Sequence, residues 1–335
     1  MKLNNKGFAV SIILYSIIAV IILTLLLILV IYTTNIRTKM SLSDHIKEKI
    51  SGTQTLANKI LGDNDVISAI PNTTTVFNES SDRSGLYKSL ATNSGKPTYF
   101  FRGNVTNNYV QFGKDMNNRD LIWRVVRINE DGTVRLILDE SIDSNYYSFY
   151  NKSPNPIDRY LRRYYSNTTE MGQSYATQAK YTVDKWYNDN LKGRYSSKIM
   201  NGDYFCEQEK VSYSGLPYDG SSVNVPIYTE YIPDFRCATD LNGYGIVNAP
   251  VGLLTYDELI FAGGYPNKDN RNFYLYKPFI WFTMTPSDYV WDIDSSGRVG
   301  LRLASDTARI RPVINIRANV TASGKGTTGD KYIIE

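Results

Sequence analysis

LIWRVVRINEDGTVRLIL, running from Leu121 to Leu138, sets two apolar runs on either side of Asn129-Glu130-Asp131-Gly132. Asp-Gly between alternating apolar runs is a strong signal for a β-hairpin, because glycine accepts the positive φ of a tight turn. Strict alternation through the first run predicts that Ile122, Arg124, Val126 and Ile128 share one face of the strand, with Trp123, Val125 and Arg127 on the other.

The pattern extends in both directions from this hairpin. Upstream, Tyr99 to Val105 and Tyr109 to Phe112 read as strands. Downstream, Val183, Tyr187 and Leu191 recur every four residues, with Trp186 beside them, which predicts a helix over Tyr181 to Leu191. Thr255-Tyr256-Asp257-Glu258 is a capping box, in which hydroxyl and carboxylate satisfy free amides of a first helical turn, and Gly263-Gly264 marks the end of that helix. Strands resume at Phe279 to Met284, Tyr289 to Ile293, Val299 to Leu303 and Arg311 to Ile316. The expected architecture is α+β, with short helices set against a largely antiparallel sheet, over residues 98–335.

Ahead of this head, residues 62–97 are rich in Asn, Ser, Thr and Asp without sustained periodicity and read as a linker. Earlier still, no residue from Gly7 to Tyr32 carries a charge. As a helix that stretch would extend roughly 39 Å, enough to cross a bilayer with some tilt. Tyr32-Thr33-Thr34-Asn35 fits poorly as the small-residue site that follows a secretory signal. Ile36, Met40, Ile46, Ile50, Leu56 and Ile60 continue a helical stripe to a stop at Gly62-Asp63, so residues 8–61 read as one transmembrane and stalk helix. Lys2 and Lys6 precede the apolar stretch and Arg37, Lys39, Lys47 and Lys49 follow it, so charge counting alone would leave the head in the cytoplasm. Long domains translocate largely regardless of charge, and the two cysteines fit the outside better.

Composition closes several functional classes. The chain has 335 residues and a net charge of +4, with no basic block of the kind that tracks nucleic acid. Its one histidine, His45, lies outside the head, so the head cannot build a Ser/His/Asp or Cys/His catalytic arrangement. Two cysteines without a nearby histidine cannot close a tetrahedral zinc shell, and no glycine-rich phosphate loop is present. No cofactor is implied.

Lys6-Gly7-Phe8, a short basic leader before a long uncharged helix, resembles the class III leader of type IV prepilins and pseudopilins. The resemblance implies that a prepilin peptidase removes residues 1–7 by cutting between Gly7 and Phe8. Phe8 then becomes the methylated first residue of a chain that sits in the bilayer and assembles with other pilin-like subunits. At the fifth mature position, where that family carries Glu, this chain has Ile12. A minor subunit therefore fits better than a major one. The alternative is an uncleaved single-pass anchor. The head resembles a domain of uncharacterised surface proteins from low-GC Gram-positive bacteria. The residues that carry the likeness include Ile122 to Asn129, Trp186 to Leu191, Trp281 to Ser287, Arg311 to Asn315 and Gly324 to Thr327. That likeness brings no activity with it. The Trp-bearing strands and the closing Arg-Pro-Val strand are also similar to C-type-lectin-like and sulfatase-modifying-factor-like folds.

Cys206 and Cys237 flank an irregular segment, and a disulfide between them would stabilise it by roughly 3 to 4 kcal/mol through loop closure. Two separate buried thiols are the alternative. Asp292-Ile293-Asp294-Ser295-Ser296-Gly297 opens like a calcium loop, but Leu303 stands where the closing acid belongs, and a β-turn explains the same residues. Asp288, Asp292 and Asp294 also allow a glycosidase-like acid pair. Trp281, Tyr289, Trp291, Asp292 and Asp294 form the candidate binding surface, with Tyr-rich stretches such as Asn145 to Tyr150 and Arg159 to Tyr165 in either a binding or a packing role. The expected function is a non-enzymatic, pilin-like protein of the cell membrane with an extracellular adhesion head for a glycan or protein ligand. A non-polymerising surface binder and an extracellular glycan hydrolase are the alternatives.

Overall fold

The hairpin forms where the sequence places it. Gly132, at φ 83°, donates its N–H to the Asn129 carbonyl at 3.0 Å, and the Asn129 N–H donates to the Thr133 carbonyl at 2.8 Å. This is a four-residue turn closed by a left-handed glycine. The computed structural model describes residues 23, 54–68, 82–148, 168–170, 173–175, 178–208, 233–237, 243–266, 268–286, 290–302 and 306–334. The chain divides into two units, Met1–Gly52 and Thr53–Glu335. Of the first, Leu23 alone is described, and it is helical and exposed. The leader, the Gly7–Phe8 bond, Ile12 and the apolar stretch lie outside the described residues. Among the described residues, no helix is long and apolar enough to cross a membrane.

In chain order the second unit begins with α1 (Leu56–Asp63), β1 (Val66–Ile67), β2 (Gly85–Ser89), β3 (Thr98–Arg102), β4 (Tyr109–Lys114), β5 (Asp120–Ile128) and β6 (Val134–Leu138). The short strands β7 (Tyr147–Ser148), β8 (Thr168–Glu170) and β9 (Gln173–Tyr175) follow, then α2 (Gln178–Tyr187), which runs on as a π-helical turn over Asn188–Lys192. Next come β10 (Gly202–Gln208), β11 (Gly243–Ala249), α3 (Tyr256–Ala262), β12 (Tyr265–Pro266), β13 (Trp281–Pro286), β14 (Val290–Ile293) and β15 (Arg298–Arg302). The chain closes with β16 (Thr307–Ala308), β17 (Val313–Ile316), β18 (Ala322–Ser323) and β19 (Tyr332–Ile334). The fold is α+β and its sheets are largely antiparallel.

β5 is the centre of a nine-stranded sheet. One of its edges pairs with β6, and β17 lies beyond; the other pairs with β4 along its first half and with β3 along its last residues. Beyond β3 come β2 and β1, and beyond β4 come β19 and β18. A second sheet has the order β12-β15-β14-β13, and β10 pairs with β11. One continuous apolar core joins these layers, with Trp123, Trp281 and Trp291 fully buried in it.

Three expectations are corrected here. The stripe from Ile36 to Ile60 does not end as one unbroken helix, because α1 starts afresh at an extended N-cap, Thr55, whose side chain accepts from the Asn58 N–H. Thr55 also bridges to Thr321, and Leu56 and Ile60 fill the head's core instead of lining a stalk. Residues 62–97 are not simply a linker, since β1 and β2 belong to the main sheet, so the head starts well before residue 98. Alternation along β5 also breaks. Val125 pairs with Leu136 and Arg127 with Arg135, leaving Val126 as the extra residue of a bulge. Trp123, Val125 and Ile128 therefore share one face, and Arg124 and Arg127 the other.

The two faces are covered differently. On the Trp123 face, Trp123 donates to the Phe112 carbonyl at 2.8 Å and packs edge-on to Trp186 of α2, whose Val183 and Tyr187 are buried as its spacing requires. The other face carries Phe100, Arg102, Arg124, Arg127 and Arg135 and receives α3. Phe261 packs on Phe100, and Arg102 donates to the carbonyls of Ile260 and Phe261 at the helix's C-terminal end. The capping box at Thr255 and Glu258 forms as the sequence predicts, and Gly263 ends the helix in the left-handed region.

Candidate functional site

The strand pair expected to carry the binding surface is interior. Trp281 lies beneath the Arg311 guanidinium at 4.7 Å and Trp291 packs on Tyr256 at 4.2 Å, both without exposed surface. β13 and β14 are covered on both faces, so their tryptophans are core and not platform. Asp292 is buried and contacts the Arg302 Nε at 2.5 Å, and burial pushes its carboxyl up to about 6. Asp294 accepts from the Ser296 and Arg298 N–H groups at 2.8 and 3.1 Å and faces the Arg298 Nε at 3.1 Å. That is the β-turn alternative, and among the described residues no cluster of acids, cysteines or histidines suits a metal ion. Tyr289, Asp288 and the stretch from Arg159 to Tyr165 lie outside the described residues.

The cysteines lead elsewhere. Cys206 on β10 and Cys237 form a disulfide, with their Cα atoms 5.5 Å apart. It ties residues 233–237 to the sheet, and three main-chain bonds hold the same segment. The Asp234 N–H donates to Asp257 at 3.1 Å, the Phe235 N–H to the Ala91 carbonyl at 2.8 Å and the Cys237 N–H to the Asn93 side chain at 3.0 Å. Phe235 stacks on Phe261 at 4.2 Å and lies 5.3 Å from Phe100.

Beside the disulfide lies a cavity of about 250 Å³, walled by Arg127, Asn129, Glu130, Tyr204 and Phe235, with Asn93 at its rim. An adjoining recess reaches Arg135 and Glu258. Glu258 Oε1 is 2.6 Å from the Arg135 Nε and 3.1 Å from the Arg127 Nε, while its Oε2 accepts the Thr255 N–H at 3.0 Å. Burial alone would raise the Glu258 carboxyl, but Arg135 and Arg127, with the Thr255 amide, hold it below its ordinary value. Arg135 spends its remaining nitrogens on the carbonyls of Tyr204 and Leu253.

Arg127 differs. Its side chain keeps 15% of its surface exposed, its guanidinium lies 4.9 Å from the Phe235 ring, and its terminal nitrogens make no hydrogen bond among the described residues. Burial lowers its pKa to about 10, which leaves it charged at neutral pH. Asn129, 9% exposed, donates to Thr133 and Asn315, but its Oδ1 has no partner among the described residues. The acids of the cavity are engaged locally: Glu130 accepts from the Ser94 N–H and hydroxyl, and Asp131 from Tyr204 and Thr133.

This cleft was not among the sequence candidates. The cysteines mark one wall, but strict alternation put Arg127 on the wrong face and gave Glu258 only a capping role. One signal was present: three arginines, Arg124, Arg127 and Arg135, in a hairpin that reads as buried require anions from elsewhere in the chain. No family model, characterised protein or solved structure matches the chain.

Proposed function

We propose that the chain is a pilin-like, membrane-anchored cell-surface protein whose head stands outside the membrane and presents the cleft beside Cys206–Cys237 to a ligand. The observation that carries this reading is the disulfide, since such bonds persist in oxidising compartments and are rare in the cytosol. It supports the outward orientation that charge counting opposed. The uncharged stretch from Gly7 to Tyr32 supplies the anchor, and Lys6-Gly7-Phe8 supplies a cut site for a prepilin peptidase. Ile12 in the family's Glu position favours a minor subunit among other pilin-like subunits. The likeness to lectin-like folds belongs to the same reading, as a scaffold for a binding head and not for turnover; fold alone would not fix function.

The N-terminal mass of membrane-extracted protein, made with and without a prepilin peptidase, tests the reading. Loss of Met1 to Gly7 with a methyl group on Phe8 is expected when the peptidase is present. An intact leader under both conditions would leave a plain anchor and remove the filament from the account. Free thiols at both cysteines in protein from intact cells would remove the outward orientation as well.

A further inference from the structure

We infer that the cleft beside the disulfide binds an acidic sugar, whose carboxylate pairs with the terminal nitrogens of Arg127. The inference deepens the reading of the head as a ligand-binding domain and rests on it. It starts from a charge imbalance. Two arginines, Arg127 and Arg135, meet one carboxylate, Glu258, whose Oε1 both contact. Arg135 pairs with Glu258 and donates from its two terminal nitrogens to carbonyls. Arg127 shares Glu258 with Arg135 and stands at the wall of the cavity, where Glu130 and Asp131 act on it only at a distance, and its terminal nitrogens have no hydrogen-bond partner among the described residues. A planar guanidinium whose two terminal nitrogens have no partner among the described residues matches a carboxylate in a bidentate fork.

The rest of the wall suits a hydroxylated ring. Asn129 forms part of the wall, Asn93 places an amide at the rim, and Tyr204 and Phe235 give aromatic surface. Hydroxyl groups, which both donate and accept, fit such a mixed set better than a second charge would. A cavity of about 250 Å³ lies just below the range of drug-sized ligand pockets, so it holds a single ring and not a stretch of polymer. Glu130 and Asp131 on the same wall repel a carboxylate and set a limit on affinity.

The test titrates the detergent-purified full chain calorimetrically, at low ionic strength, with D-glucuronate, D-glucose and the dipeptide alanylalanine. Glucuronate is expected to bind about tenfold more tightly than glucose, the difference a charge-assisted pair makes. Equal binding of the acid and the neutral sugar would overturn the inference, as would no binding of either. Tighter binding of the dipeptide would replace the sugar with a peptide carboxylate and overturn it too. Arg127→Gln should lose about tenfold for glucuronate and leave glucose unchanged. Because Arg127 also touches Glu258, that variant can fail to fold, so Glu130→Gln is the second arm. It keeps an acceptor for Ser94, removes a repulsive charge, and should tighten glucuronate about two- to threefold without affecting glucose. An unfolded chain cannot produce that gain, and its absence in a folded variant overturns the inference. Binding by a chain that keeps Met1 to Gly7 even when made with a prepilin peptidase would sink the pilin reading alone, whereas a processed chain that binds nothing would sink the sugar alone.

Discussion

Glu258 and Asp292 are equally buried, at 3% and 2% exposure, yet their surroundings drive their carboxyls in opposite directions. Glu258 stays below its ordinary pKa and Asp292 rises to about 6. Desolvation penalises both anions, so the difference lies in what opposes it. Glu258 meets two arginines and the Thr255 amide, while Asp292 meets Arg302 alone, with Asp294 and Asp306 adding repulsion. A single arginine, itself 27% exposed and shared with Asp306, does not offset burial. Two buried ones do. The head therefore contains a charge centre that holds its form across the neutral range and another that titrates within reach of it.

The second arginine reaches Glu258 only because β5 bulges at Val126. Glu258→Gln has the largest expected effect. It leaves Arg127 and Arg135 buried without their anion and should reduce stability by about 3 to 5 kcal/mol in urea unfolding. A loss below about 1 kcal/mol would put Glu258 in the class of exposed ion pairs and erase its contrast with Asp292.

The disulfide sharpens the comparison on the cleft side, because it holds Phe235 against the Arg127 guanidinium. Replacing both cysteines with serine should reduce stability by about 3 to 4 kcal/mol, from the closed loop alone. The expected secondary sign is faster amide exchange at Phe235 and Cys237, with β5 and β6 still protected. Uniform loss of protection would instead make the segment from 233 to 237 part of the core.

How much of this was legible follows the range of the interactions. The hairpin, α2 and the capping box of α3 rest on neighbours within a few residues, and the sequence pattern placed them to within a few positions. The place of Val126 is not legible, because a bulge depends on the partner strand and nothing in Leu121 to Ile128 departs from regular alternation. Aromatic strands look alike whether one face is covered or two, so the sequence pattern alone offers Trp281 and Trp291 as surface. The role of Glu258 was half visible. Its bond to Thr255 is local, whereas Arg127 and Arg135 reach it across more than a hundred residues of chain. Asp82, similarly, stands in the stretch read as a linker, yet pairs with buried Arg102 at 2.8 Å.

Asp292 gives the smallest effect and the one with a sign that separates the two centres. Its folded pKa, about 6, lies above the ordinary carboxylate value of about 3.9, so between those values the folded protein binds more protons than the unfolded chain. Stability from this group is then greatest at low pH and falls as pH rises from about 4 to about 6, by an amount of order 2 to 3 kcal/mol. A carboxyl held low, as Glu258 is, contributes the other way, stabilising above the ordinary value and failing only as acid protonates it. Asp292→Asn removes the titration and keeps the shape, at the expense of the Arg302 contact. Measured against the parent by urea unfolding, the variant should gain relative stability from about pH 4 to about pH 6 and level off above that. A difference that stays flat over that interval would mean Arg302 compensates Asp292 as fully as two arginines compensate Glu258, and the number of partners would no longer explain why the two carboxylates diverge.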